Sequence, residues 1–95
     1  MLFEWNDVKA RANLKKRGIR FEIATLAFDD PSLILMKDRV VDGEQRWRAI
    51  GSAGGEAILL VVHTVNDHDE DEIIHIISAR RATRHETRIY QSTSH

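Results

Sequence analysis

Arg80, Arg81, Arg84 and Arg88 place four guanidinium groups within nine residues, with Glu86 among them and Tyr90, four residues after Glu86, just beyond. Guanidinium groups grip phosphate oxygens in pairs, and the start of a helix adds unpaired N–H groups. This is chemistry that a phosphodiester-cleaving or RNA-binding site uses. The same arginines could instead pair with the acids of the 66–72 stretch, Asp67, Asp69, Glu70, Asp71 and Glu72. Thr83 and Glu86 fit a capping box, which accounts for Glu86 without catalysis. Tyr90, one turn further on, could pack on the sheet edge or donate its hydroxyl. Two histidines complete the set. If the 66–72 stretch closes symmetrically, Val65 pairs with Ile73, and His63 lies opposite His75 on one face of a sheet. Such a pair could bind a metal or share acid–base work, but no third ligand accompanies it, and two half-buried histidines with one hydrogen bond each is the competing reading. Trp5 and Trp47 could stack bases or cover the core. No P-loop, GxSxG, HExxH or EF-hand pattern is present.

The distribution of charge narrows the partners. The net charge is only −1, yet ten of the fourteen Lys and Arg lie in two segments, 9–20 and 80–88. A folded chain could therefore show a basic face to a polyanion, or simply two solvated helix faces. With no cysteine there is neither a disulfide framework nor a thiolate zinc site. Neither the apolar runs, all far short of a membrane span, nor the N-terminus suggests targeting, so a cytoplasmic location is expected.

The elements that must position these residues follow from periodicity. At 95 residues the chain has room for one domain, expected over 1–91 with a frayed polar tail over 92–95. Met1 to Trp5 reads as an edge strand, and Asn6 caps a helix over Asp7 to Arg17 that Gly18 stops. Phe21, Ala24, Thr25 and Phe28 mark the buried stripe of a second short helix, although Arg20 is a poor cap for it. Strands over Leu33 to Val41, Gln45 to Ser52 and Ala57 to Val65 are separated by Asp42-Gly43 and Gly54-Gly55, which suit hairpin turns. The acidic stretch Asn66 to Glu72 makes a longer loop to a strand over Ile73 to Ala79, and a last helix runs through Tyr90. The strands 57–65 and 73–79, apolar on both faces, should be adjacent and central. The expected fold is α+β: an antiparallel sheet of four to five strands with two N-terminal helices and one C-terminal helix.

Particular strings carry a resemblance: Phe3-Glu4-Trp5-Asn6 with Lys9 and Asn13, Lys16-Arg17-Gly18, Phe21, Ala24, Phe28 and Asp30. The second half adds Arg46, Gly51, Val61-Val62-His63-Thr64, and Ile76-Ile77-Ser78-Ala79-Arg80-Arg81-Ala82-Thr83 with Glu86 and Tyr90. Over nearly its whole length the chain resembles the BrnT toxins of bacterial type II toxin–antitoxin modules. The resemblance implies a RelE-like ribonuclease fold, RNA cleavage that inhibits translation, and a BrnA-type antitoxin with a ribbon-helix-helix DNA-binding domain, through which alone operator DNA would be met. Three positions depart from the pattern: Arg17 stands where His is frequent, Arg20 where a small cap is usual, and His75 where Arg is common. A guanidinium in place of a histidine cannot act as a base near neutrality, and His75 grips phosphate only when protonated.

The function this implies is a metal-independent endoribonuclease without cofactor. A base activates the RNA 2′-hydroxyl, arginines stabilise the phosphorane, and an acid protonates the leaving oxygen. The catalytic candidates are His63, Arg80, Arg81, Glu86 and Tyr90, and the RNA-binding candidates are Lys9, Lys15, Lys16, Arg46 and Arg84. The alternative is a non-catalytic module that binds antitoxin or nucleic acid and serves operon autoregulation.

Overall fold

The computed structural model describes residues 1–55 and 57–93. β1 (Leu2–Glu4) leads into α1 (Asp7–Arg17), where the Asn6 side chain accepts the Lys9 N–H at 3.0 Å. Asp7 sits at the positive end of the helix dipole, Lys15, Lys16 and Arg17 at its negative end, and Gly18 stops the helix at φ 75°. The expected second helix is a single α-turn, α2 (Phe21–Ala24), which tightens into a 3-10 segment over Thr25–Asp29; Arg20 provides no side-chain cap. Of the expected stripe Phe21 and Ala24 are fully enclosed and Thr25 and Phe28 half-buried, and Ala27, outside that stripe, is fully enclosed as well.

Four hairpin-linked strands follow, β2 (Ile34–Val41), β3 (Glu44–Ala53), β4 (Ala57–His68) and β5 (Asp71–Arg81), in the spatial order β1-β5-β4-β3-β2. As the apolar patterns require, β4 and β5 are adjacent and each is flanked on both sides. The sheet is mixed rather than antiparallel throughout, because β1 joins β5 in parallel through Leu2–Glu4 and Ile73–His75. β2 is the opposite edge, with a bulge between Lys37 and Val40.

One face of the sheet is closed by α1, α2 and the 3-10 segment. Ala49, Ala53, Leu59, Val61, Ile74, Ile76 and Ala79 pack there against Ile19, Phe21, Ala24 and Ala27. The 3-10 segment crosses β3 so closely at Gly51 that a Cβ would stand 2.7 Å from the Ala27 carbonyl oxygen, so no larger residue fits. Asn13, buried on α1, ties the helix to the sheet. Its amide donates to the carbonyls of Ile19 and Ala79, both at 2.9 Å, and its Oδ1 accepts the Ala79 N–H at 3.1 Å.

Two sequence expectations are corrected here. The acidic 66–72 stretch is not a loop: β4 and β5 stay paired out to His68 and Asp71, and the chain reverses through Asp69-Glu70, with Asp69 in the left-handed region at φ 57°. The last helix, α3 (Arg84–Thr93), outruns Tyr90 and takes in Ser92 and Thr93, which were expected in a frayed tail. The Ser92 and Thr93 hydroxyls both donate to the Ile89 carbonyl at 3.0 Å, which satisfies the final turn. The other two residues of that tail, 94 and 95, lie outside the described residues.

Candidate nucleic-acid interface and active site

Strand register assigns the remaining side chains to faces. Leu59 and Val61 belong to the helix-covered core, so Leu60 between them points the other way, and with it Arg80, its partner on β5. Arg48 pairs with Val62 and Ile50 with Leu60, so the alternate positions Arg46, Arg48 and Ile50 share that second face. α3 lies on this side, because its Glu86 meets Arg80.

Arg80 and Glu86 form a two-pronged ion pair, with Nη1 on Oε1 at 2.7 Å and Nη2 on Oε2 at 2.9 Å. The capping box read from the sequence is present: Thr83 N–H donates to Glu86 Oε1 at 2.8 Å, and Glu86 N–H donates to Thr83 Oγ1 at 3.2 Å. Hydrogen bonds from Arg80 above all, then from Thr83, overcome the cost of burial and hold the Glu86 carboxyl down at about 2. The Arg80 pKa is raised by the same partnership. A carboxylate this acidic neither takes nor supplies a proton near neutrality. Arg80 in turn spends a further Nη1 hydrogen on the Arg81 carbonyl, at 3.2 Å. The pair therefore pins the start of α3 to the end of β5.

Further along α3, the Tyr90 hydroxyl donates to Asp30 Oδ2 at 2.5 Å. Asp30 also accepts the backbone N–H groups of Ser52 at 2.7 Å and Ser32 at 2.8 Å. Burial opposes its charge, but the bonds from Tyr90, Ser52 and Ser32 prevail and lower its pKa. Together they fasten α3 to the corner between the 3-10 segment and β2, beside a cleft lined by Leu26, Pro31, Ser52, Gly54 and Tyr90.

The histidine pair is not formed. His63 pairs with Ile76, whereas His75 pairs with Thr64, so the two imidazoles face opposite sides of the sheet. The Asp69-Glu70 turn contains an even number of residues, which displaces the register by one from the symmetric expectation and reverses the facing from the turn as far as His63. His63 is 1% exposed, edge-on to Phe28 at 4.9 Å, with Nδ1 3.2 Å from the Val61 carbonyl. Burial lowers its pKa, against the pull of that carbonyl, and its enclosure keeps the ring away from the surface where a proton carrier would meet RNA. His75 lies on the α3 side, partly exposed, with Nδ1 3.2 Å from Glu4 Oε1.

The remaining candidates divide between the two sides. Arg84 begins α3 and is exposed, and Arg46 is half-buried on β3, whereas Arg81, exposed at the end of β5, pairs with Leu59 and so falls on the face opposite Arg80. Lys9, Lys15 and Lys16 are exposed on α1, across the sheet from α3. None of the arginines pairs with the acids of 66–72 among the described residues. Nor do the described residues include a group of three or more His, Asp or Glu able to hold a metal. Sequence reasoning overlooked Arg48, whose type on a strand reads as surface, and gave no role to Asp30, whose partners come from distant segments.

Comparison with known proteins gives this geometry a family. A family model described as the ribonuclease toxin, BrnT, of type II toxin-antitoxin system matches residues 5–86. Among solved structures, the crystal structure of the ribonuclease toxin BrnT from Brucella abortus superposes with a TM-score of 0.64 over 88% of this chain and 100% of that one, at 22% identity. At that identity the likeness bears on the fold. A search of curated proteins gives no match. The matched span runs from Trp5 to the buried Glu86, most of the chain, and by it this chain belongs to the BrnT family of ribonuclease toxins of type II toxin–antitoxin systems.

Proposed function

We propose that this toxin cleaves RNA without a metal ion on the α3 side of its sheet. The observation that carries the reading is the family match over residues 5–86; the position of the arginines supports its placement. Arg84, exposed at the start of α3, contacts phosphate there, Arg81, placed on the α1 side by its register partner Leu59, reaches phosphate round the end of β5, and the partly buried Arg80–Glu86 pair sets the position of that helix end. His75, and not His63, carries the proton in this scheme, because it shares the face of Arg80 and Arg46 and is held by Glu4. In the step itself, a base removes the 2′-hydroxyl proton, the 2′-oxygen bonds to phosphorus, and the bond to the 5′-oxygen breaks as that oxygen is protonated. The products are a 2′,3′-cyclic phosphate and a 5′-hydroxyl. Lys9, Lys15 and Lys16 draw the strand in by long-range attraction.

A toxin of this kind works where RNA is, in the cytoplasm, and is neutralised by an antitoxin. The reading takes that partner as BrnA-like, with a ribbon-helix-helix DNA-binding domain. The test is incubation of purified protein with RNA in EDTA, with analysis of the product ends. Cleavage to cyclic phosphate supports the scheme. Activity that vanishes with chelation and returns with a divalent ion refutes it, and no cleavage under any condition favours a purely binding protein.

A further inference from the structure

Two arginines on the α3 side of the sheet are treated in opposite ways. Arg80 is given a buried carboxylate that takes both prongs of its guanidinium. Arg48, in the middle of β3, is given none. Its cross-strand partners are Met36 on β2 and Val62 on β4, both apolar. Its Nε is buried with no hydrogen-bond partner, and no ion pair among the described residues includes it. A guanidinium stays charged at any physiological pH and carries five donors, so an enclosed and unanswered N–H on it is a standing cost to the fold. Replacing such a group with an apolar side chain of similar volume is commonly neutral or stabilising. A residue that costs stability at a partly open position is explained by a ligand that answers it.

We infer that Arg48 is a phosphate ligand for the RNA, gripping one phosphodiester on the sheet face beside α3; this rests on the ribonuclease reading above. Arg46 stands two residues away along the same strand and face, about 6.8 Å by strand geometry, and likewise has no ion pair among the described residues. That separation is of the order of the spacing between successive phosphates in an extended strand. Ser78, the partner of Val62 on β5, brings a hydroxyl to the same row. The path thus runs over the sheet from Arg46 and Arg48 toward Arg84 at the start of α3, and the site missing from the sequence reading lies on it. A planar fork with an inner nitrogen suits the two non-bridging oxygens of a phosphodiester.

The test compares Arg48→Met, which keeps the apolar stem, with Arg39→Met on the exposed edge strand. Each is measured for melting temperature, for cleavage of an RNA oligonucleotide, and for binding of its 2′-O-methyl counterpart, which cannot cyclise. Arg48→Met is expected to melt no lower than the parent, to bind the methylated strand about tenfold more weakly, and to cleave more slowly still. Its salt dependence should fall by about 0.7 in log–log slope, the loss of one phosphate contact on a single strand. Arg39→Met should leave cleavage unchanged. A lower melting temperature with unchanged binding would make Arg48 structural and overturn the inference. So would an equal loss of affinity for poly-glutamate, which would mark a carboxylate site suited to a protein partner. If the parent binds the methylated strand through Arg48 yet cleaves no RNA, the ribonuclease reading fails while the phosphate contact stands.

Discussion

The side-chain amide of Asn13 on α1 meets the backbone of Ala79 on β5 in both directions, donating to its carbonyl at 2.9 Å and accepting its N–H at 3.1 Å. β1 pairs with β5 only as far as His75, so past that point Asn13 supplies β5 with the donor and acceptor that a longer neighbour would have supplied. Asn13→Ala takes this partner from three backbone groups, the Ile19 carbonyl and the carbonyl and N–H of Ala79, and should cost about 2–4 kcal/mol, measured by urea unfolding. Asn13→Asp keeps the acceptor but loses the donor and should recover little of this. Unchanged stability in both variants would show that water replaces the amide without loss.

Stability should also record the state of Glu86. Its folded pKa of about 2 lies below the ordinary glutamate value of 4.5, so its stabilisation is complete above the unfolded pKa and is lost as the pH falls from there through about 2. Discounted for the partial exposure of Arg80, the effect is about 2–3 kcal/mol. In Glu86→Gln the unfolding free energy should fall at pH 7 and lose most of its decline over that acidic window. A variant with the parent's full acid limb would place the decline on other carboxylates.

His63→Leu should leave cleavage within about threefold of the parent, because a fully enclosed imidazole under Phe28 cannot reach RNA. Loss of activity in a folded variant would mean that the sheet opens during catalysis.

Arg81→Ala should reduce cleavage by about 100-fold, and Arg11→Ala by less than about threefold. The first removes charge where the transition state gains it, and the second alters only the field on approach. Equal small effects would move the reaction away from the start of α3.

An antitoxin that works by covering the site should protect Arg80 and Arg81, and the basic end of α1 at Lys15 and Lys16, from hydrogen exchange. Its association should slow as salt is raised. Protection confined to residues 66–72 would point to neutralisation from a distance.

Local signals in the sequence specify much of this structure. Asn6 and Gly18 bound α1 because capping is settled by neighbours, and Thr83 with Glu86 closes the same kind of box at α3. The facing of the histidines depends instead on a turn at Asp69-Glu70. Two acidic residues there give no glycine signal, and in a run of charge they read as a solvated loop. A second register shift, between Val62 and His63, lies beyond the histidines and leaves their facing unchanged. The parallel placement of β1 is non-local and leaves no mark in its three residues. Glu86 was legible as a cap, but its bond to Arg80 was not, and that bond is what removes both from proton chemistry.

β2 ends the sheet with an unpaired row of backbone groups, and Leu35 and Val40 on it are 55% and 60% exposed. Such an edge invites a second copy of the chain to add its own strand and begin an aggregate. Lys37 and Arg39 stand between those two apolar residues, and the bulge between Lys37 and Val40 breaks the flat pairing surface that a newcomer would need. Neutralising both cations should therefore leave the folded monomer intact and make concentrated solutions precipitate, so the charge on this strand protects the colloidal life of the protein and has no part in its chemistry.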